Sequence, residues 1–323
     1  MASPRVLVVA GTHGNEINAP WLIDQWERDP ALIRSCGLEV ETVIGNPAAR
    51  AQGRRYLDRD LNRSFRPDLL SAAASSAETL ADAVGAVDRE MDRALDLLNR
   101  YGLHGPQSCD VVIDLHSTTA SMGSSLVVYD RRPADLAFAA AVQQRLGLPV
   151  YLHEADHTQE GFLVKRWPCG LVIEIGPVPQ MVLDASTVEQ TRLCLQACLE
   201  VLAEAHRGEL RCPPALVVHR HLGSLDLPRD ATGQPEACIH PERQGKDWIP
   251  LVEGDPLFLK PDGQVIRYHG PDGQVPVFIN EAAYGEKGIA LSLTVRETWP
   301  LTPQASEALS AVLALGDQRG TPL

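Results

Sequence analysis

Three short, almost continuously apolar runs constrain the fold of this chain most strongly. They are Arg5–Ala10 and residues 110–115 and 171–175, and runs of this kind are typical of buried parallel strands. Further strands are predicted at 38–44, 125–129 and 150–152, with helices at about 15–26, 77–98, 133–146 and 186–206, the first of them capped by Asn15. Strands that alternate with helices indicate an α/β protein with a mixed, mostly parallel sheet that is flanked by helices on both faces.

The pattern changes near residue 211. From there to about residue 295 the residues alternate more, and Pro-Asp-Gly turn signals occur at 261–263 and 271–273. A last helix is predicted at 303–315. The 323 residues are therefore divided into a domain of residues 1–210 and a smaller, β-rich C-terminal domain of residues 211–323.

The net charge of −13 argues against nucleic acid and anionic membranes as partners, because the overall field repels both. An anionic small molecule stays open where cationic side chains are concentrated locally. The N-terminus lacks the hydrophobic segment of a signal peptide, and no apolar run is long enough to cross a bilayer. Seven cysteines without a CxxC pair favour free thiols in a reducing compartment, so the protein is predicted to be cytoplasmic.

A metal site is indicated where the first apolar run ends. His13 and Glu16 stand in Gly-Thr-His-Gly-Asn-Glu at 11–16, and His116 follows the second run. Open α/β sheets bind ligands at the carboxyl ends of their strands, and two imidazoles with one carboxylate are a usual ligand set of hydrolytic zinc. The alternative for His116 is a core histidine satisfied by the backbone. Asp114, on the same strand face, is a candidate for orienting a ligand.

Glu174 is the candidate general base. It lies within the third apolar run, where a carboxylate is costly unless it is paired, directed at a metal or protonated. The alternative is a structural ion pair, but no basic residue adjoins Glu174 in sequence. A base whose pKa is brought near neutral by burial fits better.

The irregular segment 48–67 is dense in arginine and aspartate, and a long structured loop in a compact domain is usually functional. Arg55 and Arg63 are candidates for holding a substrate carboxylate or an oxyanion, because the guanidinium group is a planar fork. The alternative is a solvated loop held by Asp58 and Asp60.

Together these motifs resemble the aspartoacylase family of zinc amidohydrolases, which includes succinylglutamate desuccinylase-like members. The resemblance covers nearly the whole chain, in order, and its segments are 11–16, 46–47, 55–63 (Arg-Tyr-Leu-Asp-Arg-Asp-Leu-Asn-Arg), 114–119 (Asp-Leu-His-Ser-Thr-Thr), 174–180 (Glu-Ile-Gly-Pro-Val-Pro-Gln) and 278–284 (Phe-Ile-Asn-Glu-Ala-Ala-Tyr). It implies a zinc-carboxypeptidase-like N-terminal domain with one zinc ion per chain, and a β-rich C-terminal domain that contributes to the substrate pocket.

The resemblance also implies a role for each matching residue: zinc ligation by His13, Glu16 and His116, general-base catalysis by Glu174, polarisation of the scissile carbonyl by Arg55, and substrate binding by Asn62, Arg63 and Tyr284. Glu174 would then assist the attack of zinc-bound water on the acyl amide carbon. The implied enzyme is a zinc-dependent amidohydrolase that deacylates N-acyl amino acids, first of all N-acetyl-L-aspartate to acetate and L-aspartate.

One departure bears on the substrate. Family members that cleave N-acetyl-aspartate resemble one another in an arginine ten residues before the catalytic glutamate, where this chain has Val164, followed by Lys165 and Arg166. If neither neighbour replaces that arginine, N-acyl aromatic amino acids become the leading alternative.

Other functions are compatible with the same fold. A succinyl-amino-acid desuccinylase or a carboxypeptidase would use the same zinc site with a different pocket. A non-enzymatic binding protein is disfavoured, because the metal ligands and the base are all present. The predicted partner is a small-molecule N-acyl amino acid, and a homo-oligomer stays open.

Overall fold

The computed structural model describes residues 3–72, 88–154 and 160–315 of the 323-residue chain. The strands in these ranges are β1 (Arg5–Ala10), β2 (Glu39–Ile44), β3 (Val111–Ser117), β4 (Gly123–Tyr129), β5 (Val150–His153), β6 (Cys169–Gly176), β7 (Ala215–Leu225), β8 (Cys238–Ile239), β9 (Pro256–Leu259), β10 (Val265–Arg267), β11 (Val275–Val277) and β12 (Leu291–Pro300).

Nine of these strands form one mixed sheet in the order β11-β12-β7-β5-β4-β6-β3-β1-β2, and β10-β9-β8 form a second, antiparallel sheet. Within the large sheet, the parallel neighbours are β1 with β2, β1 with β3, β3 with β6, β4 with β5, and β5 with β7. The pairs β4 with β6, β7 with β12, and β11 with β12 are antiparallel. The predicted class, a mixed and mostly parallel sheet followed by a β-rich segment, is confirmed.

The α-helices that lie wholly within the described residues are α1 (Asn18–Arg28), α2 (Pro47–Ala51), α3 (Arg89–Tyr101), α4 (Pro133–Leu146), α5 (Ala185–His206) and α6 (Pro303–Leu313). The predicted strands and the helices at 133–146 and 186–206 agree with them to within a few residues. Residues 77–87 of the predicted helix 77–98 lie outside the described residues. The remainder of that helix is α3, which begins where the Asp88 side chain accepts a hydrogen bond from Met91 N.

The prediction that Asn15 caps the first helix is wrong. Helix α1 begins at Asn18, and its N-cap residue, Ile17, makes no side-chain cap hydrogen bond. The chain first completes a turn in which Glu16 N donates to His13 O at 3.2 Å. This turn places Glu16 beside His13 before the helix starts.

Strand side chains alternate between two different surroundings, which explains how one sheet carries both a core and a site. One face of β3 and β6 contributes Ile113, Leu115, Ile173 and Ile175 to the apolar core under α1, α4, α5 and α6. The opposite face carries Val112 and Val172 in a second apolar cluster. Period-two alternation puts Asp114, His116 and Glu174 on that second face, at the carboxyl ends of their strands.

The residues after 211 contribute to both sheets. Strand β7 pairs with β5 and β12 inside the large sheet, whereas β8, β9 and β10 surround a small core of their own that includes Ile239, Leu251 and Phe258. The side chains of Ala305, Leu309 and Leu313 in α6 join the main core. The division at residue 210 stays a prediction.

Within the described ranges, no helix combines the length and the apolar character needed to cross a bilayer.

Candidate active site

Three predicted metal ligands meet at the carboxyl edge of the large sheet. His13 Nδ1 lies 2.6 Å from Glu16 Oε1, and His116 Nδ1 lies 3.2 Å from Glu16 Oε2. One ligand atom from each residue can be chosen so that all lie within 4.8 Å of one another, and all three side chains are buried. Two imidazoles and one carboxylate thus face a common point, which is a donor set that fits zinc.

An aspartate supports each imidazole from the opposite side. His13 Nε2 lies 3.1 Å from Asp60 Oδ1, and His116 Nε2 lies 2.8 Å from Asp114 Oδ2. Asp114 is itself fixed by Thr12 Oγ1, which donates to it at 2.7 Å. Partners of this kind fix the tautomer of a metal-ligating histidine and direct its other nitrogen to the metal.

The electrostatics of the cluster also suit a cation. Burial alone would raise the pKa of Glu16, but the imidazoles of His13 and His116 hold it well below its usual range. Burial would likewise lower the pKa of His116, yet Asp114 and Glu16 hold it well above its usual range. The surrounding carboxylates therefore favour positive charge between them, which a divalent ion supplies without protonating the imidazoles.

A second group of carboxylates, Asp58, Asp88 and Glu90, also lies close enough to share an ion. Its members already have partners, however. Asp58 accepts from Arg89 N at 2.9 Å, Asp88 lies 2.6 Å from Arg59 Nε, and Glu90 accepts backbone N–H groups. The histidine-containing cluster is therefore the candidate metal centre.

Glu174 faces His116 directly across neighbouring strands, because the two residues are register partners in β3 and β6. Its carboxylate lines the same pocket as the three candidate ligands. Some accessible surface remains toward that pocket, and protein encloses the other sides. This burial raises the pKa of Glu174 to about 8. A raised pKa makes the carboxylate a stronger proton acceptor than an exposed glutamate and lets it return the proton near neutral pH, as a general base must.

Arg55 lies next to the ligand cluster. Its Nη1 donates to Glu16 Oε1 at 3.4 Å and its Nη2 to Asp60 Oδ2 at 3.3 Å, while its Nε makes no hydrogen bond to any described residue. The backbone of Arg55 accepts from Gly14 N at 3.1 Å. A Cβ at Gly14 would lie 2.2 Å from Arg50 N, so only glycine permits this close approach of the two segments.

Asn62 and Arg63 line the same pocket as the ligands. Asn62 Oδ1 accepts from Leu163 N at 2.8 Å, which connects this loop to the 3₁₀-helix Leu163–Arg166. The Arg63 guanidinium carbon lies 4.3 Å from the centre of the Phe162 ring, and Phe162 stacks on Tyr129 at 3.8 Å. An arginine thus lies against an aromatic wall that sequence reasoning did not identify.

Tyr284 comes to the pocket from the C-terminal part of the chain, on the 3₁₀-helix Ala282–Lys287. Burial raises the pKa of its hydroxyl, and its ring lies 5.4 Å from that of Phe278. Glu281 holds this segment in place, since it accepts from Thr119 N at 2.7 Å and from Ala283 N at 3.0 Å.

Residues 164–166, which stand where related enzymes carry an arginine, do not supply a cation to the pocket. Val164 is buried in the apolar cluster behind the pocket wall, and Lys165 Nζ pairs with Asp130 at 2.6 Å. Neither of them lines the pocket, and neither does Arg166. A different cation lies close by: Lys287 Nζ is 3.6 Å from Asp60 Oδ2 and 5.5 Å from the centre of the Tyr284 ring.

The structure therefore brings all eight predicted site residues into one pocket. Asp60 was expected only in a solvated loop and instead supports His13, while Glu281 and Lys287 were not singled out. The contacts that bring them to the site are with His13, Thr119 and Asp60, which lie far away along the chain, so no local signal marks them. The roles of the eight residues stay predictions.

Comparison with known families agrees with this arrangement. Residues 2–202 match the succinylglutamate desuccinylase/aspartoacylase catalytic domain, and residues 214–296 match the AstE/AspA barrel-sandwich hybrid domain.

Individual proteins are similar over almost the whole chain. A probable aspartoacylase of Prochlorococcus marinus strain MIT 9313 is 59% identical over 97% of this chain and 99% of its own, and one of Synechococcus sp. strain CC9605 is 55% identical over the same shares. The crystal structure of murine aminoacylase 3 superposes with a TM-score of 0.82 at 32% identity, covering 93% of this chain and 98% of the other.

Proposed function

The chain belongs to the succinylglutamate desuccinylase/aspartoacylase family, and on that premise we propose that it is a zinc-dependent amidohydrolase that removes the acyl group from N-acyl amino acids. One observation carries the proposal. The cluster of His13, Glu16 and His116 and the carboxylate of Glu174 share a single buried pocket, on the side of the sheet where α/β proteins bind ligands.

Bound zinc supplies a Lewis acid that polarises a carbonyl oxygen and lowers the pKa of a coordinated water. Glu174 accepts the proton of the water that attacks the acyl carbon, and returns it to the amide nitrogen as the carbon–nitrogen bond breaks. The enclosure that raises the pKa of Glu174 to about 8 favours holding this proton between the two steps.

The remaining residues orient the substrate. The Arg55 guanidinium is held by Glu16 and Asp60 at the wall of the pocket, where it polarises the scissile carbonyl oxygen. Asn62 and Arg63 bind the α-carboxylate of the substrate. Tyr284, from the C-terminal part of the chain, covers the amide. The acyl group leaves as a carboxylate and the amino acid as a free amine.

N-acetyl-L-aspartate is the first candidate substrate. The similar proteins that carry the name probable aspartoacylase support it, and so does a second cation beside the pocket. Burial lowers the pKa of Lys287 to about 8, and its Nζ is enclosed without a hydrogen bond to any described residue. A side-chain carboxylate would give this ammonium group a hydrogen bond in addition to its ion pair with Asp60, while Arg63 holds the α-carboxylate.

A second candidate is an N-acyl aromatic amino acid, and the wall of the pocket favours it. Tyr129, Phe162 and Phe278 present aromatic surface to the pocket, and the position of the expected arginine is filled by buried Val164. An aromatic side chain could stack on this wall without needing a second cation.

A hydrolysis panel on zinc-loaded protein tests the proposal. N-acetyl-aspartate, N-acetyl-phenylalanine, N-acetyl-tyrosine and N-succinyl-glutamate are compared by kcat/KM. Turnover of at least one of them is expected, with N-acetyl-aspartate preferred. If the zinc-loaded, folded protein hydrolyses none of them, the proposed amidohydrolase activity is contradicted.

The variant Lys287→Met separates the two candidate substrates. If the lysine binds a side-chain carboxylate, KM for N-acetyl-aspartate rises by about tenfold while that for N-acetyl-phenylalanine changes little. Lys165→Met is the matched control, since Lys165 pairs with Asp130 away from the pocket. Equal changes in KM for both substrates would show that Lys287 does not bind the side-chain carboxylate of aspartate.

A further inference from the structure

We propose that Glu90 is a positioning residue for the reaction, and that it acts through the loop that carries Arg55 and Asp60. This inference rests on the proposed function. Glu90 lies in the first turn of α3 and does not line the candidate pocket. Its side chain is nevertheless fully buried and faces the one irregular segment from which several candidate site residues come.

Four donors converge on this carboxylate. Oε1 accepts from Asn46 Nδ2 at 2.9 Å and from Leu57 N at 2.8 Å. Oε2 accepts from Asp58 N at 2.9 Å and from Arg59 N at 3.3 Å. Three consecutive backbone N–H groups therefore point at a single anion, which is a geometry that an irregular loop adopts only when the anion holds it.

The donors are groups that the loop cannot satisfy by itself. Residues 57–59 form no helix or strand, so their N–H groups would need other partners if the carboxylate were removed. The Asn46 side chain connects the same anion to α2, because its Oδ1 accepts from Ala49 N at 3.1 Å. Glu90 thus joins the beginning of the loop to its centre from within the protein.

The loop leads from this anchor directly to the chemistry. Arg55 lies two residues before Leu57, and its guanidinium reaches Glu16 and Asp60. Asp60 follows Arg59 and lies 3.1 Å from His13 Nε2. A displacement of residues 57–59 would move both flanking side chains, and a shift of about 1 Å in a group that stabilises the transition state can cost on the order of a hundredfold in rate.

The contact made by Glu90 differs from the two ion pairs between the loop and the start of α3. Asp58 with Arg89 and Arg59 with Asp88 are pairs with substantial solvent exposure on at least one side chain, so water can replace either partner. The Glu90 carboxylate is fully buried between α3 and residues 57–59, so water cannot replace it as the acceptor of these N–H groups.

The test compares Glu90→Gln with Asp135→Asn. Asp135 is the control: it is a buried carboxylate in the first turn of α4 that pairs with Arg132 at 2.6 Å and accepts from Gly170 N at 3.0 Å, at the end of β6 opposite to the site. Glutamine replaces one acceptor oxygen of Glu90 with an NH2 group that faces backbone donors. In the folded enzyme, Glu90→Gln is expected to lower kcat by about tenfold or more, whereas Asp135→Asn leaves kcat and KM within about twofold.

A double-mutant cycle with Arg55→Ala tests the route. If Glu90 acts through Arg55, Glu90→Gln lowers kcat by less than about threefold once Arg55 is absent. Full additivity with both Arg55→Ala and Asp60→Asn would overturn the proposal, as would an unchanged kcat in folded Glu90→Gln. Where Glu90→Gln does not fold, Glu90→Asp keeps the charge but shortens the reach, and the same outcomes apply.

Amide hydrogen exchange at residues 57–59 gives a readout that does not depend on turnover. Glu90→Gln is expected to speed exchange there by about tenfold or more, with no such change in Asp135→Asn. If the wild-type protein hydrolyses no N-acyl amino acid, the proposed function fails. Unchanged exchange in Glu90→Gln would show separately that Glu90 does not position the loop.

Discussion

Glu174 and Glu90 are two enclosed carboxylates in the same protein with opposite surroundings. Glu90 accepts four hydrogen bonds from the loop it faces. Glu174 makes no side-chain hydrogen bond to any described residue, and its pKa rises to about 8. The comparison shows that burial alone does not decide what a carboxylate does. Donors convert a buried carboxylate into a structural anchor, and their absence leaves a group that can exchange protons.

Asp60 and Asp114 lie between these extremes. Each shares its oxygens between an imidazole and a second donor, Arg55 for Asp60 and Thr12 for Asp114. They are held like Glu90 but transmit their orientation to a candidate metal ligand. Three substitutions test the contrast between these carboxylates, with expected effects of decreasing size.

The largest effect is expected for Glu174→Gln. The amide cannot accept a proton, so kcat should fall by about 10²- to 10⁴-fold while the protein still folds and retains zinc. Steady-state kinetics with metal analysis on the same sample measures both. Near-normal turnover in a zinc-loaded Glu174→Gln enzyme would place the base elsewhere.

An intermediate effect is expected for Asp60→Asn. The amide supports the His13 imidazole less well than a carboxylate, so zinc affinity should fall by about 10- to 100-fold. Competition with a chelator measures the change, and Asp58→Asn serves as control because Asp58 is exposed and bonds to Arg89 instead. If both variants bind zinc like the wild type, Asp60 does not support the metal site.

The smallest effects are expected in the stability of the metal-free protein, and they differ in sign. Glu90→Gln should lower the free energy of unfolding by about 1–2 kcal/mol, because buried N–H groups lose their acceptor. Glu174→Gln should raise it at neutral pH, because the wild-type fold must enclose an ionising carboxylate.

The pH dependence of that gain follows from the raised pKa of Glu174. Its stabilising contribution is complete below about 4.5 and is lost as the pH rises through about 8, whereas glutamine does not titrate. The advantage of Glu174→Gln should therefore grow between pH 5 and 8, as measured by urea unfolding after metal removal. A constant difference across this range would show that the pKa of Glu174 is not raised.

The sequence was sufficient for the parts of the fold that depend on local pattern. The apolar runs of β1, β3 and β6 predicted buried strands, and the polar residues at their ends predicted a site at the sheet edge. Asp114 was identified as an orienting partner, because a spacing of two residues on a strand puts both side chains on one face. Periodicity and proximity in sequence are all that these inferences required.

The remainder depends on contacts between distant segments. Asp60 supports a histidine 47 residues away, and Glu90 binds backbone groups more than 30 residues away. Almost every residue has a backbone N–H group, so a side chain that binds such groups cannot be recognised from the residue types in the sequence. Lys165 and Arg166 were considered for the missing arginine because they adjoin Val164, but the 3₁₀-helix directs Lys165 to Asp130, and neither residue lines the pocket.

The pairing of His116 with Glu174 across β3 and β6 also limits how the chain can change in length. A single deletion within β6 before Glu174 would exchange the two faces of the strand, moving the carboxylate into the apolar core and an isoleucine into the pocket. Insertions in the connection between the two strands leave that register untouched. Related chains and engineered variants should therefore differ in length in the crossovers, while the number of residues inside these two strands stays constant.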